Sequence, residues 1–166
     1  SFAVVIHDRT KGNVVLATDR FATHPLFYYV SGNSLHFSSD IGLLAKRTGA
    51  SADPEAIVEF LWRQGVMAPR TFFVGIRAVP PATCVQLPSG EAARYWVPKY
   101  RPSCGMELSD AMMAVWSALR RVLSCYAKNA LPTYTTCSGG VDSTTVLSGC
   151  IAERLDFRAL ICAIDW

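Results

Sequence analysis

Over roughly the first forty residues, apolar positions come in short runs broken by small polar and glycine-containing stretches. Phe2 to Ile6 and Val14 to Ala17 flank R-T-K-G-N, and Leu26 to Val30 and Leu35 to Phe37 flank S-G-N-S. β-Branched and aromatic runs on either side of such stretches predict two β-hairpins. A short helix is predicted from Ile41 to Lys46. Asp53-Pro54 then supplies an N-cap and a proline suited to the first helical position, and Gly65 is expected to stop the helix that carries Ile57, Val58 and Leu61. The stretches T-F-F-V-G-I-R-A-V-P-P and T-C-V-Q-L-P-S-G-E predict further short strands with proline and glycine punctuation.

The pattern changes after Tyr95-Trp96. V-P-K-Y-R-P-S-C-G has two prolines, a glycine and no periodicity, which predicts a linker. Beyond it Ser109 is placed to cap a helix whose Met112, Trp116, Leu119, Val122, Leu123 and Tyr126 share one face. Pro132 to Cys137 alternates as a strand does, and Val146, Leu147, Cys150, Ile151 and Leu155 recur at the spacing of a helical face. S-G-G-V-D-S, Ser138 to Ser143, is therefore a strand-to-helix turn, and R-A-L-I-C-A-I follows as a second strand. The expected fold is an α+β front half of antiparallel sheets (residues 1–96), a linker (97–106) and an α/β back half (107–166) that begins a parallel sheet.

Composition narrows the function classes. The 166 residues are 51% hydrophobic, ample for a core, and the formal charge of +3 is spread thinly, without the footprint of a nucleic-acid binder. No apolar run is long enough to cross a bilayer and no signal-peptide pattern opens the chain, so no membrane partner and a cytoplasmic location are expected. Cys84, Cys104, Cys125, Cys137, Cys150 and Cys162 form no C-x-x-C, and His7, His24 and His36 are irregularly spaced. Both sets read as packing or surface residues and not as a metal site.

S-G-G-V-D-S resembles the S-G-G-x-D-S pyrophosphatase loop of enzymes that split ATP into AMP and pyrophosphate. A-T-D-R-F-A-T-H-P-L-F-Y-Y, L-H-F-S-S-D-I-G-L-L, T-F-F-V-G-I-R-A-V-P-P and R-Y-W resemble, in that order, the later part of the class II glutamine amidotransferase domain of asparagine synthetases. The resemblance runs from about Phe2 to Trp166. It implies part of an Ntn-hydrolase-like domain joined to the start of an ATP-pyrophosphatase domain.

With ATP as the implied ligand, the turn can be argued physically. Gly139 and Gly140 let the backbone approach a polyanion, the N–H groups there and at the following helix N-terminus face the phosphates, and Ser138 and Ser143 add hydroxyls, with Val141 between them. Asp142 suits such a place when Mg²⁺ lies between its carboxylate and phosphate oxygens. No lysine follows the glycines, so the loop of γ-phosphate transfer does not apply. The bland alternative is a tight turn with Asp142 or Ser143 as a helix cap, which needs only one small polar residue. The resemblance also implies that Thr136 and Ile164, at the ends of the two strands, hold adenine through backbone groups.

The implied reaction adenylates a carboxylate, releases pyrophosphate and lets ammonia or an amine attack. In asparagine synthetases the carboxylate is aspartate and the ammonia comes from glutamine, whereas cyclases of the superfamily, such as β-lactam synthetases and lasso-peptide cyclases, close a ring. A small-molecule or peptide carboxylate and an amine are thus the expected partners, with a homodimer left open. Two other classes are weighed: tRNA-modifying enzymes with the same loop, which would want a basic surface and lack the front-half motifs, and a non-catalytic remnant. The family's N-terminal cysteine nucleophile and its glutamine-gripping residues are absent here. Ser1 is not expected to replace the cysteine, because S-F-A-V-V-I-H-D matches an internal strand of the family domain. The chain is expected to be a fragment cut at both ends and, alone, insoluble or molten. Ala22 and Ala82 stand where the family commonly has glycine. A positive φ would be penalised there, so slightly different turns are expected.

Overall fold

The computed structural model describes residues 1–100, 105–128 and 133–161. The chain divides into two compact units, Ser1–Lys99 and Tyr100–Trp166.

In the first unit β1 (Ala3–Asp8) and β2 (Asn13–Thr18) form the first hairpin, with Val5 opposite Leu16. The Asp8 carboxylate fixes its turn by accepting the Thr10 N–H and hydroxyl at 2.9 and 2.6 Å. The second hairpin joins β3 (Phe27–Ser31) to β4 (Ser34–Ser38), and Gly32 supplies the positive φ of +54° at the first loop position. Two further strands, β6 (Thr83–Leu87) and β7 (Glu91–Arg94), complete an antiparallel four-stranded sheet of order β1-β2-β6-β7. The other antiparallel sheet, β4-β3-β5, ends on β5 (Arg77–Ala78).

Strand alternation explains the layers. Leu16, Val85 and Leu87 of the larger sheet pack with Leu26, Tyr28 and Val79, all buried, to form the core between the sheets. The neighbours of Tyr28 point the other way, where Phe27 and Tyr29 meet Leu44, Ala45 and Ile76. Helix α1 (Ile41–Thr48) supplies Leu44 and Ala45. Asp40 caps it by accepting the Leu43 N–H at 3.0 Å, and Gly49 ends it at φ +67°.

Helix α2 (Pro54–Arg63) starts at the expected Asp53 cap with Pro54 in its first turn. Its end differs from expectation, because Gln64 and not Gly65 takes the left-handed position and donates its N–H to the Phe60 carbonyl at 2.8 Å. T-F-F-V-G-I-R-A-V-P-P is also less of a strand than predicted. Only the two-residue β5 and an isolated Ala52–Phe73 bridge form there. The Thr71 hydroxyl bonds the carbonyls of Phe73 and Ile76, and Gly75 turns the chain at φ +78°. A Cβ at Gly75 would lie 2.9 Å from the Tyr29 ring, so the turn is pressed against β3.

In the second unit, α3 (Leu108–Ala127) opens with Glu107 at the N-cap position, and no side chain caps it; Ser109 lies within the helix. The predicted apolar face is only partly covered. Leu123 is buried and Trp116 and Leu119 are half-buried, but Met112, Val122 and Tyr126 are exposed. Strand β8 (Thr133–Thr136), α4 (Val141–Ala152) and β9 (Phe157–Leu160) follow, and the strands pair in parallel from Thr133–Phe157 to Thr136–Leu160. Ile151, assigned to the inner face, is exposed, whereas Cys150 beside it is buried. No helix among the described residues is long and apolar enough to cross a membrane.

Candidate functional site

The strand-to-helix turn forms where the sequence places it. β8 ends at Thr136, and the Cys137 N–H still reaches the Leu160 carbonyl on β9 at 2.9 Å. Gly139 then turns at φ +80°, with nothing near the position of its missing Cβ, so backbone conformation calls for the glycine there. Gly140 sits at the N-cap of α4 with φ −77°, which any residue adopts, and a Cβ there would meet only the Ser138 hydroxyl at 3.5 Å. Neither strain nor crowding inside the chain accounts for this second glycine. It leaves the outer side of the turn open.

No side chain caps α4, and its first main-chain bond runs from the Thr144 N–H to the Gly140 carbonyl at 3.1 Å. Asp142 and Ser143, the candidate caps, thus leave the first-turn N–H groups uncapped. The Ser143 hydroxyl instead accepts the Ser138 N–H at 3.2 Å, lies 3.1 Å from the Ser138 hydroxyl, and bonds the Gly140 carbonyl at 3.2 Å. The two serines tie the turn together. Val141 and Asp142 stand exposed on the first helical turn.

Chemically the arrangement can serve as an anion cradle. Uncapped N–H groups at a helix N-terminus, a left-handed glycine before them, a second glycine with open space and two hydroxyls fit phosphate oxygens. Asp142 brings one carboxylate, which fits a Mg²⁺ shared with phosphate oxygens. Among the described residues no group of three His, Cys, Asp or Glu could hold a metal alone. Thr136 is exposed at the C-terminal end of β8, beside Leu160 of β9. Ile164 lies outside the described residues. A concavity of about 580 Å³ along Leu108, Met112, Val115 and Trp116 of α3 reaches Thr145, but its apolar lining does not suit a polyanion.

The first unit contains a second organised centre, which sequence reading located only through the motif A-T-D-R-F. Asp19, at the end of β2, is 8% exposed. Its carboxylate accepts the N–H groups of Phe21 (2.9 Å), Phe2 (2.8 Å) and Thr23 (3.2 Å) and the Thr23 hydroxyl (3.1 Å). These bonds, the Phe21 N–H foremost, hold its pKa far below the usual carboxylate range against the opposing effect of desolvation. The Asp19 carbonyl accepts the N–H groups of Ala22 and Ala82 at 3.1 and 2.8 Å. Ala22 and Ala82 adopt φ +49° and +53°, so alanine takes the left-handed conformation at both turns despite its β-carbon. Tyr95 closes the corner, donating its N–H to the Ala82 carbonyl and its hydroxyl to the Thr18 carbonyl at 2.8 and 2.7 Å. Every one of these bonds ends on a main-chain group or on the Asp19 carboxylate, so together they tie neighbouring chain segments into a scaffold. The Ser1 hydroxyl lies 3.2 Å from His24 Nε2 at an exposed site.

A family model described as a glutamine amidotransferase domain matches residues 1–96. Over 151 residues, 89% of this chain, the sequence is 23% identical to the glutamine-hydrolyzing asparagine synthetase 1 of Bacillus subtilis (strain 168). The chain spans about a quarter, 24%, of the length of that relative.

Proposed function

The chain belongs to the glutamine amidotransferase domain family, and from that premise we propose that it is part of an ATP-dependent ligase that forms a carbon–nitrogen bond and releases AMP and pyrophosphate. The observation that carries the reading is the uncapped start of α4 behind Gly139 and Gly140, with Ser138 and Ser143 beside it. Bound MgATP supplies the electrophilic α-phosphorus. A carboxylate oxygen attacks it, and the bond to the bridging oxygen breaks with the electron pair leaving on pyrophosphate. Ammonia or an amine then attacks the acyl carbon, AMP departs, and the nitrogen loses a proton.

This chain's share is binding and orientation. The N–H groups at the start of α4 and the Ser138–Ser143 hydroxyl pair would hold phosphate oxygens, Asp142 would hold Mg²⁺, and the exposed end of β8 at Thr136 would take the adenine. Positive partial charge at the helix N-terminus favours the charge that builds on departing pyrophosphate. An aspartate-like small carboxylate with ammonia is the substrate pair we favour, in keeping with the name of the relative, a glutamine-hydrolyzing asparagine synthetase. Free cysteines at positions 84, 125, 137 and 150 suit a reducing cytoplasm.

The test is Asp142→Asn in the complete protein, which keeps the shape of the turn and removes the metal-binding charge. Exchange of labelled pyrophosphate into ATP should fall at least about a hundredfold, the scale of one strong electrostatic contribution. Exchange at the wild-type rate would remove Asp142 from the metal.

A further inference from the structure

Helix α4 is held at the end opposite the turn. A Cβ added at Gly149 would lie 2.6 Å from Leu123 Cδ1 and 3.3 Å from Leu119 Cδ2, so α3 and α4 meet where an added methyl requires the leucine side chains or the helix to shift. Cys150, next to it, is 2% exposed. One turn on, the Glu153 carboxylate pairs with the Arg120 guanidinium of α3, which offsets the unfavourable placing of a negative charge at a helix C-terminus. A mid-helix glycine costs about 1 kcal/mol relative to alanine, so its presence here answers to the close approach and not to helix formation. At the opposite end Val141 is 82% exposed and no side chain caps the first turn, which the serine tie holds to the residues before it.

We propose that the Gly149–Leu123 contact, seconded by Arg120–Glu153, positions the phosphate-binding turn, making Gly149 and Glu153 positioning residues for the ligand's phosphates. The inference rests on the reading of the turn as an ATP phosphate site. Its physical basis is leverage. Gly149 lies about 12 Å along the helix axis from Val141 at 1.5 Å per residue, so a wedge tilting α4 by about 5° moves the N-terminal N–H groups by about 1 Å. Displacements of that size cost up to about a hundredfold in a reaction that depends on alignment.

The experiment measures binding of MgATP and of adenosine, which lacks the phosphates, to the complete protein and to its Gly149→Ala, Glu153→Gln and Gly149→Ala/Leu123→Val variants. Gly149→Ala should weaken MgATP at least about tenfold and leave adenosine within about twofold, with Glu153→Gln changing MgATP in the same direction by less. Leu123→Val, by making room for the added methyl, should restore MgATP binding in the double variant. Equal losses for both ligands, or unchanged MgATP binding by folded Gly149→Ala, would overturn the proposal. If Gly149→Ala does not fold, unchanged MgATP binding by Glu153→Gln overturns it. A wild-type protein that does not bind MgATP removes the ATP reading and this inference together, whereas normal binding by the wild type and by all variants removes the inference alone.

Discussion

The main-chain carbonyl of Asp19 accepts the N–H of Ala82 at 2.8 Å, tying the end of β2 to the start of β6 through a residue held at φ +53°. The same carbonyl accepts Ala22, also left-handed, while the Asp19 side chain gathers Phe2, Phe21 and Thr23. One aspartate therefore organises three chain segments from both ends of its residue.

Acid should loosen this corner. The folded-state pKa of Asp19 is depressed below the ordinary 3.8, so its stabilising effect is complete above that value and is lost as the pH falls below it toward the folded-state pKa. Asp19→Asn keeps the shape but points an amide N–H₂ at N–H donors. Thermal midpoints followed from about pH 6 to about pH 2 should show a lower plateau for the variant and a shallower acid decline than the wild type. Parallel curves would contradict the assignment.

The two left-handed alanines should respond differently to glycine. A non-glycine residue in this region costs about 1–2 kcal/mol, and glycine returns about 0.4–1 kcal/mol of that through the entropy of the unfolded chain. For half-buried Ala22, Ala22→Gly should stabilise the protein by about 0.5 kcal/mol. Ala82 is 1% exposed, and losing its buried methyl costs about 0.8 kcal/mol more, so Ala82→Gly should come out near even. Denaturant midpoints of the two variants decide it, and a larger gain at position 82 would count against this accounting of strain.

Gly75→Ala should be the most damaging single methyl in the first unit. It combines a φ of +78° with a Cβ 2.9 Å from the Tyr29 ring, which packs against the buried Leu44–Ile76 cluster. The expected loss is about 2–3 kcal/mol, read from equilibrium unfolding. A loss below about 0.5 kcal/mol would mean that the ring moves aside freely.

What the sequence disclosed and what it concealed divide along chain distance. The hairpins, the Asp53-Pro54 helix start and the strand–glycine–helix order around Ser138 to Ser143 are set by residues a few positions apart, and each appears where local patterning puts it. The failures are contacts between distant segments. The apolar run at Thr71 reads as a strand until Tyr29 is seen above Gly75, and Gly149 reads as one small residue in a helical face until Leu123 is seen beside it. Ser109 reads as a cap because serine often is one, yet the N-cap falls two residues earlier, at Glu107. At the candidate site, the residue types were legible, but the serine-to-serine tie that leaves the helix start uncapped was not.

The corner at Asp19 also bears on the order in which the first unit assembles. β1 with β2 and β3 with β4 close over short loops, whereas Ala82 and Tyr95 must return to residues 18 and 19 across most of the unit. Closing the longer loops costs more chain entropy, so hairpins are expected to be present at the folding barrier and the corner to be completed after it. Substitutions at Asp19 or Tyr95 would then leave refolding rates nearly unchanged and appear as faster unfolding, giving the corner control over how long the folded unit lasts and little control over how quickly it forms.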